Sequence, residues 1–201
     1  MNGAIKRNIG ISMITAGVLI ISWAFYARLS TVEKQKSMIE AFNAAVESYQ
    51  SNPESSDAAD KAASEPDAAL ERVIGVMYIP RIDLQVAVVD GVDAQSLKRA
   101  VGHFKDTAMP GQNGNCAISG HRSYTYNQFF NRLYEVEPGD EITIQTKTGS
   151  YKYEAYQKKI IEPDDISVLK NTSTPTLTLI TCHPERSSAQ RLVVTCKLKQ
   201  P

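Results

Sequence analysis

Two apolar runs near the C-terminus, joined by a short polar stretch, constrain the fold of this chain more than any other feature. Residues 176–182 alternate, with Leu177 and Leu179 on one face, and residues 191–198 alternate more cleanly. Such alternation is typical of half-buried strands. The stretch 183–190 between the runs contains a proline and two serines and suits a hairpin-type loop. We therefore predict an antiparallel hairpin over residues 176–198.

This hairpin would bring two reactive groups together. If the leucines face the core, Cys182 and Arg191 both lie on the non-core face, with Cβ atoms roughly 5 Å apart if the two residues are directly opposed. His121 lies upstream in the tripeptide Gly-His-Arg. A thiol, an imidazole and a guanidinium supply a nucleophile, an acid/base and a fixed positive charge, as covalent acyl transfer requires. Cys196 falls on the core face and is a poor nucleophile candidate.

The spacing of these residues resembles that of the sortases, the membrane-anchored cysteine transpeptidases of Gram-positive bacteria. The Thr-Leu-x-Thr-Cys motif of that family is matched by residues 178–182, its Gly-His-Arg by residues 120–122, and its strand-opening arginine by Arg191. Residues 130–133 and 138–140 also resemble the family. The resemblance covers about residues 72–199. Three motifs in the same order make it specific.

The resemblance implies a fold and a reaction. The fold would be an eight-stranded β-barrel. Cys182 would be the nucleophile, His121 the general acid/base, and Arg191 would stabilise the oxyanion and the substrate. The enzyme would cleave a Leu-Pro-x-Thr-Gly-like C-terminal sorting signal of a secreted protein at the Thr–Gly bond. It would then transfer the protein to an amine of a cell-wall precursor such as lipid II. The residues around Cys182 and Arg191 resemble class D, with class E next.

Several alternatives can be weighed from the sequence. Papain-like peptidases place cysteine before histidine, whereas here His121 precedes Cys182. A net charge of zero does not indicate a nucleic-acid-binding protein. A barrel that binds sorting signals without turnover and a simple cysteine endopeptidase remain open. His103 and His183 compete with His121, but a strand would send the side chain of His183 away from that of Cys182.

The N-terminal part carries one membrane-length stretch. Residues 9–26 are uncharged and apolar, and roughly 20 residues of helix span a bilayer core. Lys6 and Arg7 precede the stretch and favour a cytoplasmic N-terminus, and Trp23 and Tyr26 suit the outer interface. We predict a cytoplasmic tip and transmembrane signal anchor over residues 1–29. The protein would be a single-pass cell-membrane protein with an extracellular catalytic domain. A cleaved signal peptide is the alternative.

Residues 30–71 connect this anchor to the predicted catalytic domain, residues 72–201. Residues 30–50 have apolar side chains at helical spacing. They suit a juxtamembrane stalk or, as the alternative, a helix that pairs or docks. Residues 51–70 are acidic and poor in bulky apolar side chains, which is typical of a flexible linker.

From Val73 the pattern changes to short β-type runs, which predict a mainly β, closed or nearly closed barrel. Short helices suit residues 93–100 and 127–134. The clearest hairpin joins residues 142–144 to 151–153. Eight strand candidates are 73–79, 84–89, 116–119, 141–146, 150–156, 159–162, 176–181 and 192–198.

The sequence predicts neither a cofactor nor a metal. No metal-ligand spacing is present. The acidic pairs 140–141 and 164–165 resemble calcium ligands of some sortases, but adjacent acids are more typical of solvated turns. Three cysteines are too few for a disulfide framework. Cys116 and Cys196 suit buried thiols, with a disulfide between them as the minor alternative.

Overall fold

The computed structural model describes residues 3–51, 72–122, 129–184, 187 and 189–199. Its two α-helices are α1 (Gly3–Ser51) and α2 (Ala94–Leu97). Short 3-10 helices cover Pro80–Ile82, Leu133–Glu135 and Ile166–Leu169. The strands are β1 (Val73–Ile79), β2 (Leu84–Asp90), β3 (Val101–His103), β4 (Asn115–Ser119), β5 (Glu141–Gln145), β6 (Ser150–Ile161), β7 (Thr176–His183) and β8 (Gln190–Leu198).

The eight strands within the described residues form a closed barrel in the order β1-β2-β3-β4-β7-β8-β6-β5. Pairing is parallel between β2 and β3 and between β4 and β7, and antiparallel at the other neighbours. Closure pairs β5 with β1, so every strand has two neighbours. The predicted mainly β, eight-stranded barrel is confirmed.

The predicted number of strands, eight, is correct only because two errors in the prediction offset each other. β6 is a single strand, although the sequence suggests two runs that end at residue 156 and resume at residue 159. A bulge between Ala155 and Gln157 shifts its register against β8 and breaks the alternation there. The short strand β3 is missing from the prediction, because three residues containing Gly102 are too few to show a strand period.

The core fills the barrel. Alternate side chains of β7 and β8 point inward, as predicted, and Leu177, Leu179, Leu192 and Val194 are all 4% exposed or less. Phe130, in the turn that precedes the 3-10 helix Leu133–Glu135, adds to this core and is fully buried. The non-core faces of β7 and β8 are left for Cys182 and Arg191, which lie outside this cluster.

Other local predictions are confirmed in part. The β5–β6 hairpin has the expected register, with Ile142 opposite Tyr153. The predicted helix 93–100 is reduced to α2, and Asp93 caps it by accepting hydrogen bonds from the backbone N–H of Gln95 and Ser96. The predicted helix 127–134 is wrong where it is described: residues 129–132 form turns and a 3-10 helix follows. Residues 127–128 lie outside the described residues.

The chain forms two compact units, Met1–Lys34 and Gln35–Pro201. The predicted helices over residues 9–26 and 30–50 are one continuous helix, α1. No helix among the described residues is both long and apolar enough to cross a membrane. The signal anchor stays a prediction, and the predicted linker over residues 51–70 lies almost wholly outside the described residues.

In the second unit, the end of α1 packs on the outside of the barrel. Met38 lies in a buried cluster with Ala87 and Val89 of β2. One and two turns further on, Phe42 and Val46 are buried with Val76 of β1. Positions 38, 42 and 46 share one helix face because they are four residues apart. This part of the predicted stalk is therefore docked, which is the alternative that its helical spacing left open.

Candidate active site

The antiparallel ladder between β7 and β8 brings Cys182 and Arg191 together. The two residues are direct Cα partners. Cys182 lies one residue before the end of β7, and Arg191 lies one residue after the start of β8. Both side chains are half-buried. One guanidinium nitrogen of Arg191, Nη1, donates to the carbonyl of Gln190 at 3.0 Å. The predicted pairing is confirmed, and it places a thiol beside a permanent cation at one end of the barrel.

His121 follows directly after the neighbouring strand β4. Parallel pairing sets Ser119 of β4 beside Ile180 of β7, so the chain leaves β4 next to the strand that carries Cys182. The N–H of Gly120 donates to the Ile180 carbonyl at 3.1 Å. The hydroxyl of Thr181 donates to the Gly120 carbonyl at 2.8 Å. His121 itself is exposed, as a group that exchanges protons with a substrate requires.

Glycine at position 120 follows from close packing. A Cβ added there would lie 2.7 Å from the ring of Phe130 and 3.0 Å from Val101. Phe130 also donates its N–H to the carbonyl of His121 at 3.2 Å. Phe130 of the core therefore fixes the backbone of the segment that carries His121. Only glycine at position 120 leaves room for the Phe130 ring.

Arg122 makes contacts that the sequence did not predict. Its Nη1 lies 2.9 Å from Nδ1 of His183 and 3.5 Å from the carbonyl oxygen of Cys182. The guanidinium carbon lies 5.3 Å from the ring centroid of Tyr134. The sequence shows only that a cationic residue follows His121 in the Gly-His-Arg tripeptide. It does not assign Arg122 a partner or a role.

The sortase domain family matches residues 77–199, which run from β1 to just beyond β8. The chain belongs to the sortase family. The enzymes of this family are cysteine transpeptidases.

Three relatives illustrate the similarity of this sortase to others. It is 29% identical to Sortase D of Bacillus subtilis over 182 residues, which cover 89% of this chain and 90% of the relative. The solved structure of a Clostridium perfringens Sortase D5 transpeptidase has a TM-score of 0.61 and 28% identity, covering 80% of this chain and 99% of that one. Sortase E of Streptomyces avermitilis has a TM-score of 0.57 and 32% identity, covering 64% of this chain and 89% of that one. The class D prediction is consistent with the first of these.

The side chains of the other two histidines of this sortase, His103 and His183, are held by hydrogen bonds to neighbouring residues. His103 is 1% exposed, and its Nδ1 lies 3.0 Å from Asp90 Oδ1. Its Nε2 lies 3.1 Å from both the Ala108 carbonyl and the Thr107 hydroxyl. His183 is held by Arg122. Of the three, His121 is the exposed one beside the strand of Cys182.

Cys116 and Cys196 are buried free thiols, and burial raises the pKa of each to about 12. Leu177 on β7 is the register partner of both, so the two cysteines lie on opposite sides of that strand. Two interstrand steps amount to roughly 9.6 Å, which is beyond the reach of a disulfide. The disulfide alternative is therefore wrong.

No group of three or more His, Cys, Asp or Glu side chains suited to a metal ion occurs in the described part of the chain. Two of the acids considered for calcium have local structural partners. Asp165 accepts from the N–H of Ser167 at 2.9 Å, at the start of a 3-10 helix. Asp140 accepts from the N–H of Glu137 at 2.8 Å.

Proposed function

We propose that this sortase is a membrane-anchored transpeptidase that cleaves a Leu-Pro-x-Thr-Gly-like sorting signal at the Thr–Gly bond. It transfers the protein to an amine of a cell-wall precursor. The observation that carries the proposal is the direct pairing of Cys182 with Arg191 at a barrel end to which the His121 segment is hydrogen-bonded. A nucleophile and a cation on adjacent strands, with an exposed imidazole two residues beyond the end of a third, form the set that acyl transfer needs.

The first half-reaction forms a thioester. The Cys182 thiol gives its proton to His121, and its sulfur attacks the carbonyl carbon of the signal's threonine, so that a negative charge develops on the carbonyl oxygen. Arg191 stabilises this oxyanion because its guanidinium stays charged and donates several hydrogen bonds. The C–N bond to glycine then breaks, and His121 gives a proton to the leaving nitrogen. The C-terminal fragment leaves as a free amine.

The second half-reaction reverses these roles. The acceptor amine attacks the thioester carbon, and neutral His121 takes the proton that the new amide sheds. The C–S bond breaks, His121 returns its proton to the departing sulfur, and the Cys182 thiol is regenerated for the next turnover. Water is a poorer acceptor than the amine in this scheme, so slow hydrolysis accompanies transfer. A cell-wall precursor such as lipid II carries an amine of the required kind.

The proposed anchor is the uncharged apolar stretch 9–26 in the first half of α1. Its large apolar side chains are exposed, including Leu19 and Ile21 at 70% and Trp23 at 67%. Exposed apolar surface of this extent is stable in lipid rather than in water. The catalytic unit would then act outside the cell on secreted proteins. Retention of the full chain in washed membranes, and its loss on deletion of residues 9–26, would support this placement.

The deciding experiment uses the full chain in mild detergent and its Cys182→Ala variant. Each is mixed with a panel of Leu-Pro-x-Thr-Gly peptides and an amine acceptor, and the products are identified by mass spectrometry. We expect a ligated product with the wild type and none with the variant. Cleavage without ligation, in the presence of several acceptors, would favour an endopeptidase. Peptide binding without any product would favour a binding module.

We also propose that no cofactor is needed, so product formation should survive dialysis against EDTA.

A further inference from the structure

We infer that Arg122 is a positioning residue of this sortase. It holds the segment that carries His121 against the strand end that carries Cys182, through the rings of His183 and Tyr134. The inference rests on the proposed transpeptidase function, since its role is to set the acid/base relative to the nucleophile.

The first support is the contact with His183. Arg122 Nη1 lies 2.9 Å from His183 Nδ1. A guanidinium is always protonated and has no acceptor. Nδ1 must therefore accept the hydrogen bond through its lone pair. The ring of His183 is then neutral, with its proton on Nε2. This state explains why His183, although adjacent to the nucleophile, is used to bind Arg122 rather than to deliver a proton through Nδ1.

The second support is the arrangement on the two sides of His121. On the N-terminal side, Gly120 is hydrogen-bonded to Ile180 and Thr181. On the C-terminal side, Arg122 reaches the carbonyl of Cys182 and the ring of His183. The residues on either side of His121 are thus bound to four consecutive residues of β7, 180–183. Without Arg122, the C-terminal side of His121 would lose these contacts with β7, and only the Gly120 bonds to β7 and the Phe130 N–H bond to the His121 carbonyl would remain among those described.

The third support is the aromatic partner. The guanidinium carbon of Arg122 lies 5.3 Å from the centre of the Tyr134 ring, within the range of a cation–π contact. Tyr134 belongs to the 3-10 helix Leu133–Glu135, whose Leu133 is part of the barrel core. The ring therefore joins Arg122 to a fixed element. A guanidinium held over a ring and bonded at one nitrogen has little freedom left.

The chemistry depends on this restraint. A displacement of about 1 Å between reacting groups can cost roughly 100-fold in rate. Loss of the Arg122 contacts with His183 and Cys182 removes the restraint on such a displacement. We therefore expect Arg122→Ala to lower kcat for ligation by about 10- to 100-fold. KM for the peptide should change by less than about threefold, because Arg122 is assigned no contact with the signal.

The kinetic test uses the full chain in detergent and pairs two variants of His183. His183→Asn keeps an acceptor oxygen near the place of Nδ1, whereas His183→Leu removes it. We expect His183→Leu to lose as much kcat as Arg122→Ala, and His183→Asn to recover most of that loss. Combining Arg122→Ala with His183→Leu should add little, since both remove one contact. Lys147→Ala, which removes an exposed cation in the turn between β5 and β6, serves as the control and should stay within about twofold of wild type.

A spectroscopic test measures the contact itself. In protein labelled with ¹⁵N-histidine, the wild-type ring of His183 should show a protonated Nε2 and an unprotonated Nδ1 near neutral pH. Its signals are assigned by their loss in His183→Asn. In Arg122→Ala these signals should move towards those of a solvated ring. A wild-type ring that carries its proton on Nδ1 would overturn the inference, whatever the kinetics show.

The two proposals fail differently. If wild type ligates and folded Arg122→Ala has the same kcat, the positioning role is wrong and the transpeptidase stands. If His183→Asn is no better than His183→Leu, the acceptor role of His183 is wrong, and with it the inference. If wild type forms no product with any peptide or amine, the proposed function fails and the positioning role fails with it. Should Arg122→Ala not fold, the His183 pair and the ring signals decide.

Discussion

At the residue scale, position in the barrel separates three chemically identical thiols. Cys182 lies at the end of β7, half-buried and outside the core cluster. Cys116 of β4 and Cys196 of β8 lie in the core, where the charged form of a thiol is disfavoured because water is absent. Their pKa values near 12 mean that almost no thiolate forms at neutral pH. Since the thiolate is the reactive species, Cys116 and Cys196 are poor nucleophiles, which agrees with the proposal of Cys182 for that role.

This difference predicts the alkylation pattern. Treatment of the reduced, folded protein with iodoacetamide at pH 8 should add one carbamidomethyl group, at Cys182. After denaturation, all three thiols should react. Intact-mass spectrometry followed by peptide mapping measures both numbers. Folded Cys182→Ala should gain no group over the same period. Rapid labelling of Cys116 or Cys196 in the folded protein would contradict their burial.

Asp93 supplies a second residue-scale prediction, of pH dependence. The backbone N–H and the hydroxyl of Ser96, together with Arg72, hold the pKa of the Asp93 carboxyl well below its ordinary value of 3.8. A lowered pKa means that the carboxylate stabilises the fold above about pH 4, and that this contribution is lost as pH falls further. Wild type should therefore exceed Asp93→Asn in urea midpoint at pH 7, and the gap should narrow by pH 3.

The control for this experiment is Asp106→Asn, which changes an exposed carboxyl on the loop after β3. Its effect on the urea midpoint should be small at pH 7. A gap between wild type and Asp93→Asn that stays constant or widens below pH 4 would contradict the role assigned to Asp93.

At the element scale, a buried polar chain joins β7, β4 and the 3-10 helix between β6 and β7. The hydroxyl of Thr178 donates to Asn115 Oδ1 at 2.7 Å, and both side chains are buried. The amide nitrogen of Asn115 donates to the carbonyls of Val168 and Lys170. The register of the β4–β7 pair, which also sets Gly120 beside Ile180, is therefore supported by side chains as well as by the backbone ladder.

We expect Thr178→Val to destabilise the protein by about 1–3 kcal/mol, because it leaves the buried Oδ1 of Asn115 without its donor. Urea unfolding would measure the change. Thr195→Val alters the half-buried cross-strand partner on β8 and should cost less than about 0.5 kcal/mol. Equal effects of the two variants would show that the Thr178–Asn115 bond adds nothing specific.

The same elements show what the sequence could reveal. Alternation over residues 176–198 was sufficient to predict the β7–β8 hairpin and the pairing of Cys182 with Arg191, since a period of two fixes the face of each side chain. It could not predict that β4 runs parallel to β7 from sixty residues upstream. Short runs do not encode their partners, and β3 was too short to be recognised. The contact of Arg122 with His183 depends on that parallel pairing, which is why it was missed.

At the scale of the whole molecule, the residues of α1 that belong to the second compact unit contribute to the packing of the barrel. Val76, Ala87 and Val89 point outward from the barrel yet are fully buried. Met38, Phe42 and Val46 bury them. A catalytic fragment beginning at residue 72, the boundary suggested by the composition of the linker, would lose this cover.

Two truncations test this arrangement. A chain beginning at Gln35 keeps the helix face that covers β1 and β2. A chain beginning at Arg72 lacks the helix, and the outward-pointing side chains of β1 and β2 become exposed. Fully burying a large apolar side chain contributes about 1.5–3 kcal/mol, and the entropy of ordering the helix offsets part of that gain. A net loss of about 2 kcal/mol would lower Tm by roughly 4–8 °C for a unit of this size.

We therefore expect the longer fragment to unfold at a clearly higher temperature in a calorimetric scan. The fragment beginning at Arg72 should bind a hydrophobic dye that the longer one does not. Phe42→Ala in the longer fragment should reproduce part of the loss, and the exposed Glu47→Ala should not. Ligation by the two fragments at 25 °C should be similar, because Cys182, His121 and Arg191 all lie on β4, β7 and β8 or directly beside them. Equal melting temperatures would mean that the helix follows the barrel surface without stabilising it.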